Sequence, residues 1–230
     1  MPCLGVLGGL GPAATADFMC KLVAVTPAHC DQDHLPSLVL NLPQTPDRTA
    51  AILAKGPSPL PELQRAIEQL NGFGVDAIAI PCNTSHHWYD ALASASDAPI
   101  IHIAEAALAS LQPAGSVLLL ASRGTVASGF YQRLCAQRGI DCSVPDQHRL
   151  QTAVDRCIAE VKAGAIDAAA EQFQQLLSAP LAIDSQTLIL GCTELPLAMA
   201  RVNTQGLQLV DTTLELARHA VQRLMPNAQL

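Results

Sequence analysis

The chain is expected to fold as an α/β protein built from two similar parallel-sheet domains, related by a pseudo-two-fold axis, with a cleft between them. Three observations lead to that expectation. Short apolar runs alternate with longer helical stretches along all 230 residues, which is the pattern of strands buried on both faces by crossover helices. Two of those runs end alike, Ile78-Ala79-Ile80-Pro81-Cys82-Asn83-Thr84 and Thr187-Leu188-Ile189-Leu190-Gly191-Cys192-Thr193-Glu194. The two halves that carry them also share one layout.

The strands are expected at Leu4 to Gly8, Ser37 to Leu42, Ala77 to Ile80, Ile100 to Ile103, Val117 to Ala121, Ile140 to Val144, Leu188 to Leu190 and Gln208 to Val210. Each is an apolar run without polar alternation, as in flavodoxin-like sheets covered on both sides. Pro12 after Gly11 suits the first turn of a helix, where a missing N–H is no loss. Gly72 and Gly74 close a helix over Pro61 to Phe73, while Asp146 and Asp211-Thr212 supply helix caps. Lys55-Gly56-Pro57-Ser58-Pro59-Leu60-Pro61 reads as a surface loop, because strand and helix order resumes on both sides of it. Strand Leu4 to Gly8 corresponds to Val117 to Ala121, and Cys82 to Cys192, at nearly one offset. The first domain is therefore expected over residues 1–103 plus 207–230, with a C-terminal helix from Leu214 to Leu224, and the second over 104–206. Strand ends of both sheets then face one cleft and set the two cysteines opposite each other.

Composition excludes several classes of function. Twenty acidic against 13 basic residues give a net charge of -7 without any extended basic run, so neither nucleic acid nor an anionic membrane surface is an expected partner. No apolar run approaches the roughly 18 residues of a membrane span. The opening Met1-Pro2-Cys3-Leu4-Gly5 lacks a basic flank and a long apolar segment, so no signal peptide is expected. The eight cysteines are accordingly expected as reduced thiols of a cytoplasmic protein.

The Gly-rich turn Gly8-Gly9-Leu10-Gly11-Pro12-Ala13-Ala14 nominally meets a dinucleotide fingerprint. The acid required at the end of the second strand is missing, since Asn41 and Leu42 stand there, so the turn is read instead as bringing backbone N–H groups near a small anion. Cys3, Cys20, Cys135, Cys142 and Cys157 sit among apolar neighbours and are expected to be inert core residues. Cys30, with His29 and His34, lacks a second ligand pair for a metal. Cys82 and Cys192 differ because they share one structural address, the C-terminal end of a strand before a helix start, where open parallel sheets bind ligands. A helix N-terminus is expected to lower a thiol's pKa. One thiolate and one thiol flanking a carbon remove a proton from one face and return another to the opposite face. Arg48, in the turn Thr45-Pro46-Asp47-Arg48-Thr49, offers a planar fork for a carboxylate, and Lys162 adds a second cation. His86 and His87 read as filling or capping the helix start rather than as the base.

With these residues in view, the chain is similar to the aspartate/glutamate racemase family, and within it to the aspartate racemase branch. The resemblance covers nearly the full length. Its carriers are Gly8-Gly9-Leu10-Gly11-Pro12 with Ala14-Thr15, Asp31-Gln32-Asp33-His34, Pro46-Asp47-Arg48-Thr49, Pro81-Cys82-Asn83-Thr84 and Gly191-Cys192-Thr193-Glu194. It implies a cleft site, a homodimer, a small amino-acid substrate, and racemisation with no cofactor, neither pyridoxal phosphate nor metal. Residue by residue it implies Cys82 and Cys192 as the acid/base pair. Asn83, Thr84 and Thr193 would hold the α-carboxylate or α-amino group, with Ser85 beside them in the binding set, and Arg48 with Lys162 would bind the distal carboxylate. Leu10 stands where relatives often carry Met and would contribute its backbone. Glu194 would either accept from the substrate ammonium or orient Cys192.

Competing readings have distinct consequences. Racemisation of glutamate or of a broader amino-acid set uses the same two thiols, and so does isomerisation of maleate. A decarboxylase needs only one proton donor, so paired cysteines favour a racemase. A non-catalytic dicarboxylate-binding protein would exchange no α-proton.

Overall fold

The computed structural model describes residues 2–111, 115–146, 149–178, 187–204 and 206–226. The last residues expected in the first domain, 227–230, lie outside the described residues. Two four-stranded parallel sheets are present. The first holds β1 (Leu4–Gly8), β2 (Ser37–Asn41), β3 (Ala77–Ala79) and β4 (Ile100–Ile101) in the order β2-β1-β3-β4. The second holds β5 (Ser116–Ala121), β6 (Asp141–Ser143), β7 (Thr187–Gly191) and β8 (Gln208–Asp211) in the matching order β6-β5-β7-β8. In each sheet the strand order reverses between the first strand and its third, and the carboxyl ends of those two strands form the ligand-binding crevice of such a fold. β1 and β3 open one crevice; β5 and β7 open the other.

Period-two alternation explains how these strands support two cores each. In the first sheet Leu4, Val6, Ala77 and Ala79 pack with α1 (Pro12–Val25) and α11 (Thr212–Leu224) through Phe18, Leu22, Leu216 and Val221. Leu7, Ile78 and Ile80 point the other way, onto Leu63, Ile67 and Leu70 of α3 (Leu60–Gly72). In the second sheet Leu118, Leu120, Leu188 and Leu190 face α8 (Leu150–Lys162), α9 (Ile166–Leu177) and α10 (Leu195–Met199). Val117, Leu119 and Ile189 face α7 (Phe130–Gln137). Every residue of β1 and β7 is buried, as strands covered on both sides require. The boundary expected between 103 and 104 falls inside α5 (Ile103–Ala109), whose Ile103 joins the first core while Ala104, Ala107 and Leu108 join the second.

Turn chemistry sets the strand ends. Gly9 has φ 84°, and a Cβ there would lie 2.2 Å from the backbone nitrogen of Leu42. Gly9→Ala is therefore expected to destabilise the fold by at least about 2 kcal/mol, lowering the thermal midpoint by roughly 5 °C or more, which a melting curve measures. Pro12 begins α1 as expected. The Asp211 carboxylate accepts from the N–H groups of Thr213 and Leu214 at 2.9 and 3.0 Å, capping α11. The expectation that Cys20 is a core residue is corrected: it is exposed, because Phe18 and Leu22, two residues to either side, take the buried face of α1. Among the described residues no helix is long and apolar enough to cross a membrane.

Candidate active site

Cys82 leaves β3 through Ile80 and Pro81, both buried. Its carbonyl accepts hydrogen bonds from Ser85 Oγ at 2.8 Å and His86 Nδ1 at 2.9 Å, which set the turn into a 3-10 helix, Thr84–Trp88. His86 Nε2 in turn accepts the Ile103 N–H at 3.2 Å, so the ring proton resides on Nδ1. Burial first, and the neighbouring His102 second, push the His86 pKa down to about 3. The ring is a neutral brace for the Cys82 loop, in keeping with its reading as a filler.

Cys192 follows β7 directly, and its Sγ donates to Glu194 Oε2 at 2.9 Å; Thr193 Oγ1 donates to the same oxygen at 3.4 Å. The thiol pKa is pushed well up, by burial first and then by the Glu194 charge and hydrogen bond, while Lys162 acts in the opposite sense. The expected lowering by a helix N-terminus is thus corrected for this thiol. α10 has only five residues, and its dipole does not offset a carboxylate in contact with the sulfur.

The two thiols line one small cavity of about 30 Å³. Cys82 is 5% and Cys192 8% exposed, so the space between them is nearly closed to water. It holds little more than one or two waters, so an amino acid enters only if the walls give. A larger groove of about 540 Å³ adjoins it and shares Asp47, Arg48, Lys162 and Glu194 with it. Gly11 packs closely at the junction, where a Cβ on it would meet Glu194 Oε1 at 2.8 Å and the carboxylate would have to shift. Of the residues expected at the site, Leu10, Arg48, Asn83, Thr84, Lys162, Thr193 and Glu194 line the cavity together with the two cysteines. Ser85 is the correction. It is fully buried, its hydroxyl is committed to the Cys82 carbonyl, and it does not line the cavity.

Arg48 is held in place by backbone carbonyls. Its Nη1 donates to Thr45 O and Pro46 O, each at 3.0 Å, and its Nη2 to Leu10 O at 2.8 Å. Neither Asp47 nor Asp33 takes the guanidinium: Asp47 caps α2 (Arg48–Ile52) through the Ala50 N–H, and Asp33 accepts the N–H groups of His29 and Cys30. The Nε of Arg48 is buried without a partner among the described residues. Three of its five donors are thus engaged, leaving Nε and one N–H of Nη2, a pair suited to one more acceptor. Leu10 contributes its carbonyl to this anchoring and its buried side chain to the wall. The Gly9 N–H, by contrast, is consumed internally by Thr15 Oγ1 at 2.8 Å, so that part of the turn has no free donor for an anion.

Residues missed in the sequence complete the site. Ser122, at the end of β5, and Thr49 line the cavity. Ser122 Oγ lies 2.9 Å from Thr84 Oγ1, which lies 2.9 Å from Thr125 Oγ1, and Thr49 Oγ1 donates to Ser122 at 3.4 Å. This hydroxyl cluster joins the two domains, and Gly124 admits it, because a Cβ there would sit 2.8 Å from the Thr49 Cα. The signal was available: Ser122 follows β5 as Gly9 follows β1, so the internal symmetry used to pair the cysteines also points to it.

The Asp/Glu/Hydantoin racemase family model matches residues 7–220. A broad specificity amino-acid racemase, RacX, of Bacillus subtilis (strain 168) is 27% identical over 227 residues, covering 95% of this chain and 96% of that protein. The structure is similar to Picrophilus torridus aspartate racemase with a TM-score of 0.86 at 27% identity, covering 100% of this chain and 96% of that one. It shares its fold with a Francisella tularensis glutamate racemase crystallised with D-glutamate, with a TM-score of 0.68 at 19% identity over 98% of this chain and 81% of the other. The chain belongs to the Asp/Glu/Hydantoin racemase family and is an isomerase of the racemase type.

Proposed function

We propose that this chain racemises aspartate by a two-base transfer in which one of Cys82 and Cys192 removes the α-proton and the other supplies its replacement. The observation that carries the reading is that two thiols from corresponding strands, both buried, line one small cavity beside an anchored guanidinium. In one direction Cys82 takes the α-proton as a thiolate, and Cys192, a thiol under the influence of burial and Glu194, gives its proton to the opposite face. The electron pair left on Cα by the departing proton forms the new C–H bond. In reverse, Cys192, left as the thiolate, takes the α-proton, and Cys82, now the thiol, gives its proton to the opposite face. Whenever Cys192 is protonated, its Sγ–H is held by Glu194 Oε2, 2.9 Å away. The proton delivered to Cα comes from a cysteine, and no step in this scheme is assigned to a cofactor or metal.

The α-proton beside an ionised carboxylate is very weakly acidic, so the transition state needs donors aimed at the growing charge in a site that excludes water. The hydroxyls of Thr84 and Ser122 and the N-terminal ends of the elements after Cys82 and Cys192 suit that task. The two unengaged donors of Arg48, with Lys162, suit a distal carboxylate. Measuring kcat/KM for aspartate, glutamate and alanine by chiral chromatography tests the substrate: aspartate is expected to lead, and comparable rates with alanine would replace this assignment with a broad-specificity one.

The charge arrangement around Cys192 has its own test. Glu194→Gln removes the charge that disfavours the thiolate, so the Cys192 thiol should ionise at lower pH. Lys162→Ala removes an influence of the opposite sign and should raise that pH. Iodoacetamide alkylation of Cys192 against pH, read by peptide mass spectrometry, reports both shifts; movement of the two variants in the same direction contradicts the arrangement.

A further inference from the structure

A second, fully buried polar chain lies beside the cavity. Tyr131 Oη donates to Asn83 Oδ1 at 2.6 Å, Asn83 Nδ2 donates to Thr212 Oγ1 at 3.0 Å, and Thr212 Oγ1 donates to Leu190 O at 2.9 Å. Tyr131 and Thr212 are completely buried and Asn83 is 2% exposed. The direction of every bond is fixed, because the Thr212 proton goes to a carbonyl and its oxygen is left to accept from the amide. Two members of the chain adjoin the cysteines. Asn83 follows Cys82 directly, and Leu190 lies two residues before Cys192 on β7. Tyr131 comes from α7 on the second sheet, whereas Thr212 begins α11, which packs on the first. Both ends of the Asn83 amide are therefore occupied by protein, and the loop bearing one thiol is tied through them to the strand bearing the other.

We propose that Tyr131 and Thr212 are positioning residues for the racemisation: acting through Asn83, they set the separation between the Cys82 and Cys192 sulfurs. The proposal rests on the two-thiol reading above. A proton shuttle between fixed acids depends steeply on distance, and a displacement of about 1 Å caused away from the reacting atoms lowers rates by as much as 100-fold. Neither residue lines the cavity, so neither touches the substrate directly.

The variants are Tyr131→Phe, Thr212→Val and the pair together, with Thr212→Ser as the conservative control. Each single variant is expected to lower kcat by about 10- to 100-fold with KM changed less than twofold and an α-deuterium isotope effect larger than in the wild type. Thr212→Ser keeps the hydroxyl and should retain near wild-type kcat. Because both act through one amide, the double variant should lose little more than the worse single one. An unchanged kcat in Tyr131→Phe and Thr212→Val, a parallel rise in KM, or fully additive losses would overturn the proposal. A wild-type chain that racemises nothing, or a Cys82→Ser variant that keeps its activity, would instead refute the two-thiol reading, so the two failures are separable. Melting curves accompany each variant, and a folded Thr212→Ser protein with the kcat of Thr212→Val also counts against a role for the hydroxyl.

Discussion

Serine in place of Cys82 or Cys192 is expected to lower aspartate racemisation by about a thousandfold or more, in both directions, while the protein stays folded. General acid/base transfer is worth about 10²- to 10⁴-fold, and on the proposed mechanism a single missing thiol breaks the exchange, since each direction uses one sulfur as base and the other as acid. A serine hydroxyl fills nearly the same space but ionises far less readily than a thiol. Both positions are buried within apolar clusters, so the exchange of sulfur for oxygen costs little packing. Chiral assays in each direction, with circular dichroism as a control for folding, measure the effect. Substantial activity in either variant contradicts the assignment.

The second large effect is expected at Arg48. Arg48→Ala should raise KM for aspartate by about 100-fold, equivalent to roughly 2.7 kcal/mol, the order of a charge-assisted bidentate contact. Arg48→Lys should be nearly as damaging. Three of the guanidinium donors already hold the carbonyls of Leu10, Thr45 and Pro46, and an ammonium on a flexible stem cannot bind those and still present two parallel N–H groups. Steady-state kinetics with aspartate and alanine separate the roles: the KM effect is expected for aspartate alone. A lysine variant with normal KM contradicts the bidentate role.

Much of this site was legible before any coordinates, for an identifiable reason. The fold repeats itself, and the repetition of a strand, a small residue and a cysteine marks corresponding ends of β3 and β7, where chemistry collects. Arg48 was legible because a turn after the second strand points to the same end of the sheet. Three features were not. Ser85 reads like Thr84 in sequence, but only the turn geometry shows its hydroxyl spent on the Cys82 carbonyl. The Cys192 thiol was expected to be acidified by a helix start, whereas the decisive neighbour is Glu194, two residues along, whose side chain folds back on the sulfur. Ser122 is marked by its place after β5, but the hydroxyl cluster it forms with Thr49, 73 positions away, is recorded by no local pattern. Cys20 was misplaced for a simpler cause: α1 is apolar on more than one face, so composition did not distinguish its buried side from its exposed one.

The central claim is that one sulfur removes the α-proton and a different sulfur replaces it. Incubating L-aspartate with the protein in deuterated water, separating the enantiomers by chiral chromatography at early times and reading the Cα label in each by mass spectrometry tests this most directly. The account predicts deuterium in the D-aspartate formed and protium retained in the L-aspartate recovered, because a thiol that returns its own proton restores the starting material unlabelled. Label appearing equally in both enantiomers, or in neither, would contradict it.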